Sequence, residues 1–135
     1  MLGRSLRGDL ALDEANKLKI RDFLRSFKRI AAKGGIYVIP RDKNQQALAD
    51  LELTRKNRFE IIMSLSVLDY CSGPEPDRDK PGYIWEFGRI VEGTPVYIKL
   101  KVADTDRGQI AICISFHAAE FPLTFPCKAC KVEED

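Results

Sequence analysis

The chain has 135 residues, 31% of them charged and 44% hydrophobic, with 22 Lys/Arg against 20 Asp/Glu for a formal net charge of +2. That size suits one domain with a buried core, and the apolar fraction argues against a disordered polyelectrolyte. No apolar run approaches the ~18 residues that span a bilayer, and the first residues lack the apolar stretch of a secretory signal, so a cytoplasmic protein without membrane partners is expected. Charge is unevenly placed: residues 1–60 hold 14 Lys/Arg against 8 Asp/Glu, and residues 61–135 hold 8 against 12. Such asymmetry is compatible with a polyanionic partner at the basic half and equally with an ordinary solvated helix face.

A helix is predicted over about residues 13–32. Ile20, Phe23, Leu24, Phe27, Ile30 and Ala31 follow the 3.6-residue repeat, with Lys17, Arg21, Arg25 and Lys28 on the other side. Asp13 reads as its N-cap and Gly34-Gly35 as its stop. Ile36–Ile39 reads as a short strand closed by Pro40, followed by a short helix over Asn44–Asp50. Thr54 caps a further helix carrying Phe59, Ile62 and Met63, and Ser66-Val-Leu-Asp69 marks a brief extra turn. Three prolines and two glycines over residues 72–82 predict a loop.

Three runs then alternate with period two: Tyr83–Val91, Val96–Val102 and Gln109–His117. Their apolar sets are Trp85, Phe87 and Val91; Val96, Ile98, Leu100 and Val102; and Ile110, Ile112, Ile114 and Phe116. The opposite face collects Glu86, Gly88, Tyr97, Lys99, Lys101, Ala111, Cys113, Ser115 and the single histidine, His117. Pairing Val91 with Val96 sets Glu86 opposite Lys101 and Gly88 opposite Lys99. Pairing Val102 with Ile110 sets Lys99 opposite Cys113 and Tyr97 opposite Ser115. Arg89 falls on the core side in this scheme.

Metal-independent RNA cleavage needs a base for the 2′-hydroxyl, an acid for the leaving oxygen and a cation for the phosphorane. Lys99 and Lys101 supply positive charge, His117 an imidazole that ordinarily titrates near ~6.5, Tyr97 a donor to phosphate, and Glu86 a base or a partner for Lys101. Each residue also has an ordinary reading: a structural histidine, a cross-strand ion pair, a tyrosine chosen for strand propensity. The four cysteines stand at 71, 113, 127 and 130. Cys127-Lys-Ala-Cys130 in the tail (126–135) is a single pair, read as incidental thiols, as half of a zinc site shared across a dimer, or as a redox pair. No phosphate-binding loop, nucleophile elbow, zinc-protease or dinucleotide motif occurs, and no cofactor or metal is expected.

The pieces Ile61-Ile-Met-Ser-Leu-Ser-Val-Leu-Asp-Tyr70, Ile84-Trp85, Val96-Tyr-Ile-Lys-Leu100 and Ile112-Cys-Ile-Ser-Phe116 stand in an order and spacing that resembles the MqsR (motility quorum-sensing regulator) family of type II toxin–antitoxin toxins. The phrases Asp69-Tyr-Cys-Ser-Gly-Pro-Glu-Pro76 and Ser115-Phe-His-Ala-Ala-Glu-Phe-Pro-Leu123 are similar to a broader subgroup. The resemblance implies a RelE-like α+β domain, N-terminal helices on one face of a twisted, mainly antiparallel sheet, and an endoribonuclease (interferase) that cuts mRNA. It also implies a cognate antitoxin protein, and it leaves open whether the mRNA is cut free or on the ribosome. Tyr97 matches the family's active-site tyrosine. Cys71, Glu86 and His117 stand where the family has lysine, glutamine and lysine. The expected catalytic set is Tyr97, Lys99, His117 and Glu86, with Lys101, Arg25 and Lys28 binding RNA; the alternative is a non-catalytic RNA- or protein-binding module of the same fold.

Overall fold

The computed structural model describes residues 2–128, with side chains from residue 14 onward. It is an α+β domain in which an N-terminal helix, α1 (Leu2–Gly34), packs on a five-stranded mixed sheet. The helix runs on to Leu2 rather than starting at Asp13, so Asp13 is an interior residue and not a cap. Gly35, at a φ of 79°, ends it as expected. Strand β1 (Ile36–Val38) follows, then α2 (Asp42–Asp50) and α3 (Arg55–Met63). The strands β2 (Tyr70–Pro76), β3 (Tyr83–Val91), β4 (Thr94–Thr105) and β5 (Gly108–Ala118) complete the sheet. Strand order is β1-β5-β4-β3-β2, with β1 parallel to β5 and every other pair antiparallel.

The core lies between α1 and one sheet face. Ile20, Leu24, Phe27 and Ala31 from the helix meet Trp85, Phe87, Ile98, Leu100 and Phe116 from the strands. The half-buried Phe23 stacks on Trp85 with ring centroids 4.8 Å apart. Caps predicted from short sequence signals are present. Thr54 Oγ1 accepts from the Asn57 amide at 3.0 Å, and Asn57 Oδ1 accepts from the Thr54 amide. The Ser66 amide donates to the Asp69 carboxylate at 2.8 Å, closing a single 3₁₀ turn over Val67–Asp69.

Three expectations change. Residues 70–76 form β2 despite their prolines, because β2 is an edge strand whose register is broken on both sides of Ser72 and skips Pro74, while Pro76 pairs with Tyr83 at the strand's end. The β3–β4 hairpin turns on Glu92-Gly93, both at positive φ (50° and 83°), as a two-residue primed turn requires. Val91 therefore pairs with Thr94, and Glu86 lies opposite Lys99 and Gly88 opposite Tyr97. In the β4–β5 pair the register shifts between Lys99 and Leu100: Leu100 opposes Cys113, whereas Lys99 opposes Ser115 and Tyr97 opposes His117. The extra residue, Ile114, reverses the alternation of β5. Ala111 and Cys113 consequently face the core together with Phe116, and Ile112 and Ile114 face the other way.

Candidate functional site

The sheet face away from α1 is divided in two. Over one half runs the segment after β5. Phe121 meets the Tyr97 ring edge-on, with centroids 5.5 Å apart, and Leu123 and Phe125 sit against Gly88. A Cβ on Gly88 would fall 2.7 Å from a Leu123 methyl, so glycine is what lets this strap lie flat. Tyr97 is left 9% exposed beneath it. The strap is joined at its start by a Lys43–Glu120 ion pair of 2.8 Å, and Cys127 is buried at its end. Cys130 lies outside the described residues, so of the CxxC pair only Cys127 is placed. Among the described residues no group of three or more His, Cys, Asp or Glu is arranged to hold a metal.

The other half is an open trough of about 650 Å³. Its floor is Ile84, Ile112 and Ile114, three apolar residues brought to this side by strand parity and by the β5 bulge. Its charge is mixed, with Arg41, Arg78, Lys80, Lys99 and Lys101 against Glu75, Asp77, Asp79 and Glu86, and Tyr37, 56% exposed, stands at its rim. Lys99 sits between its cross-strand neighbours Glu86 and Ser115, with its ammonium 5.8 Å from the centre of the Tyr97 ring. Arg41 reaches in from the β1–α2 connection and donates to Ser115 Oγ at 3.3 Å. Among the described residues neither Lys99 nor Arg41 has a carboxylate within ion-pair distance. Two cations thus flank one buried hydroxyl and keep their charge available to a ligand.

Ser72 Oγ donates to Glu86 at 2.9 Å, and the Tyr97 phenol stands near this carboxylate under the strap. Burial, reinforced by this carboxylate, drives the Tyr97 hydroxyl well above the usual phenol range, so Tyr97 acts only as a neutral donor. His117 stands at the border between the two halves. Its ring centroid is 5.7 Å from that of Tyr97, and it lines an adjoining cavity of about 720 Å³ with Asp42, Lys43 and Glu120. His117 Nδ1 lies 2.9 Å from the Ala118 carbonyl oxygen, which can only accept, so the proton is on Nδ1 and Nε2 is left for other work.

Tyr97, Lys99, Glu86 and His117 are therefore neighbours on one sheet face. The three residues expected to bind RNA are placed otherwise. Lys101 is 4% exposed, and its ammonium is consumed by Asp77 at 2.7 Å and the Pro81 carbonyl at 2.9 Å; it pins the 77–82 loop rather than facing solvent. Lys28 donates to the Leu65 carbonyl beside the Arg89–Asp69 pair, and burial lowers its pKa. Arg25 is exposed on the outer side of α1, across the sheet from the trough, and lies 4.0 Å from Asp22.

Arg41, Ser115 and Ser72 were not singled out for chemistry by their sequence context. Arg41 follows Pro40 in a connection and carries no periodic signal. Ser115 stands on the open face that alternation predicts but opposite Lys99 rather than Tyr97, and Ser72 reaches Glu86 through an edge strand that reads as a loop. Compared with protein-family models, with curated proteins and with solved structures, the chain matches none.

Proposed function

We propose that the trough is the active site of a metal-independent endoribonuclease acting on single-stranded mRNA, as expected of a toxin of a type II toxin–antitoxin system with a RelE-like fold. The observation that carries this reading is the placement of two cations without carboxylate partners, Lys99 and Arg41, on either side of Ser115 and within one strand of Glu86 and Tyr97. A phosphodiester seated there meets a positive field where the phosphorane forms. Glu86 takes the 2′-hydroxyl proton as the 2′-oxygen attacks phosphorus. The 5′-oxygen leaves with the Nε2 proton of His117 in its doubly protonated imidazolium form, which reverts to the Nδ1–H imidazole, giving a 2′,3′-cyclic phosphate and a 5′-hydroxyl. The exposed Tyr37 ring and the isoleucine floor offer a base a stacking surface, the common mode for single-stranded RNA.

The test is cleavage of an end-labelled single-stranded RNA, free and ribosome-bound, in the presence of a chelator. Wild type is expected to leave cyclic-phosphate ends. Lys99→Ala and Glu86→Gln should each lower the rate by about 10²-fold or more, and the all-deoxy substrate should survive. Equal rates for wild type and folded variants, or cleavage of the deoxy substrate, would overturn the reading. Toxicity on expression, relieved by a cognate antitoxin and by Lys99→Ala, is the corresponding expectation in cells.

A second reading, a non-catalytic binding module of the same fold, is favoured by one observation: Phe121 covers Tyr97, which is left 9% exposed. RNA bound tightly and recovered intact, with Arg41→Ala and Lys99→Ala weakening binding alone, is its signature.

A further inference from the structure

The sheet ends at β1, and among the described residues no further strand closes that edge. The Ile39 amide donates to the Cys113 carbonyl at 3.0 Å, which sets the phase of the parallel ladder: Tyr37 exchanges its hydrogen bonds with β5, and Ile36 and Val38 turn their N–H and C=O groups outward. An open edge of this kind templates another strand unless it is blunted by charge, proline or a cover. Here the edge borders a groove of about 610 Å³ between β1 and α3, with Leu48, Phe59 and Ile62 as its apolar wall.

The charge of this groove is one-sided. Arg55 and Arg58 line it, and no aspartate or glutamate does. Among the described residues neither guanidinium has a carboxylate within ion-pair distance. Arg58 is also partly withdrawn from water and repelled by Arg55, and both effects lower its pKa. Two cations without carboxylate partners, Arg58 partly withdrawn from water and Arg55 exposed, stand beside unpaired main-chain donors and acceptors, a surface that an anionic strand complements.

We propose that this groove docks an extended, acidic segment of a partner protein, which adds to the sheet as a sixth strand beside β1 and sets its carboxylates against Arg55 and Arg58. Main-chain hydrogen bonds to Ile36 and Val38 supply the register, alternate apolar side chains enter the groove wall, and the arginines select for acid. This inference is independent of the nuclease reading, because the groove lies at the β1 edge and uses none of Glu86, Lys99 or His117.

The experiment selects a displayed library of random nine-residue peptides on the immobilised chain and measures the winners by fluorescence anisotropy. Recovered sequences are expected to alternate apolar with Asp or Glu. Their affinity should fall at least tenfold in the Arg55→Glu, Arg58→Glu double variant and in peptides N-methylated at alternate residues. Amide exchange at Ile36 and Val38 should slow when peptide is bound. Wild-type secondary structure and melting of the double variant guard against a folding artefact, with Arg58→Lys as a milder second variant expected to keep part of the binding. Peptides without acidic enrichment, binding that survives charge reversal or N-methylation, or a library that yields no binder to wild type would overturn the proposal.

Discussion

Lys101 and Asp77 show what a single side chain gains from its surroundings. On the alternation of β4 alone, Lys101 belongs beside Lys99 on a solvated face. The 77–82 loop instead folds over it, closed by a hydrogen bond of 2.9 Å from the Asp77 amide to the Gly82 carbonyl, and Lys101 becomes its anchor. The Lys101 hydrogen bond is the main cause holding the Asp77 carboxyl down at about 2. In the unfolded chain an aspartate titrates near ~3.9, so between these values the native state binds fewer protons than the unfolded one. The stabilisation is complete above about pH 4 and is lost as pH falls toward 2. Lys101→Met should move the Asp77 midpoint, followed by carboxyl NMR, up toward ~4 and speed amide exchange in the loop. An unmoved midpoint would show that the anchor lies elsewhere. Asn44 is a second such residue, 1% exposed, donating to the Ile39 and Ile114 carbonyls and accepting from the Phe116 amide, all at 2.9 Å. It serves the β5 edge just where β1 stops, and no pattern in the sequence marks it. Asn44→Ala strands these groups in the interior and should cost about 2–4 kcal/mol, read as a lower denaturant midpoint at unchanged slope.

At the scale of elements, legibility followed how far local pattern decides burial. The helical stripe of α1, the caps at Thr54 and Ser66, and the core faces of β3 and β4 follow from spacing, because each buries one face against a single neighbour. The faces of β5 did not. An inserted residue costs nothing in a periodicity count, yet it sends Ile112 and Ile114 to the trough and the small Ala111 and Cys113 to the core. The strap was equally hidden, since its anchoring depends on a glycine two strands away. That dependence gives a test. Gly88→Val places side-chain carbons where Leu123 and Phe125 now sit, and should lift the strap without removing any group of the trough. Limited proteolysis within 119–127 should accelerate, and Tyr97 should become accessible to a water-soluble quencher or nitrating reagent. If the strap restrains the site, RNA turnover rises by the same substitution; a variant with an exposed Tyr97 and unchanged turnover assigns the strap to stability alone.

For the whole molecule, the sheet acts as a partition between the basic helix and the trough. Half-to-half charge asymmetry pointed to α1 as a polyanion-binding surface, but α1 lies against the core face and its exposed cations, Arg25 among them, look away from the trough. Composition reports how much charge a segment carries; only the packing decides which side of the sheet that charge serves. A short RNA seated in the trough therefore meets Arg41 and Lys99 and stays out of reach of Arg25. Binding of a six-nucleotide RNA should change less than about twofold in Arg25→Glu and weaken about tenfold or more in Arg41→Glu, a difference of at least ~1 kcal/mol. Counterion release sharpens the comparison: each phosphate contact removed lowers the slope of log affinity against log salt by about 0.7 for a single strand. Arg41→Ala and Lys99→Ala should each show that drop, whereas Arg25→Ala should leave the slope where it was. Should Arg25→Ala flatten the slope as much as Lys99→Ala does, the RNA path runs over the helix and the trough is not its seat.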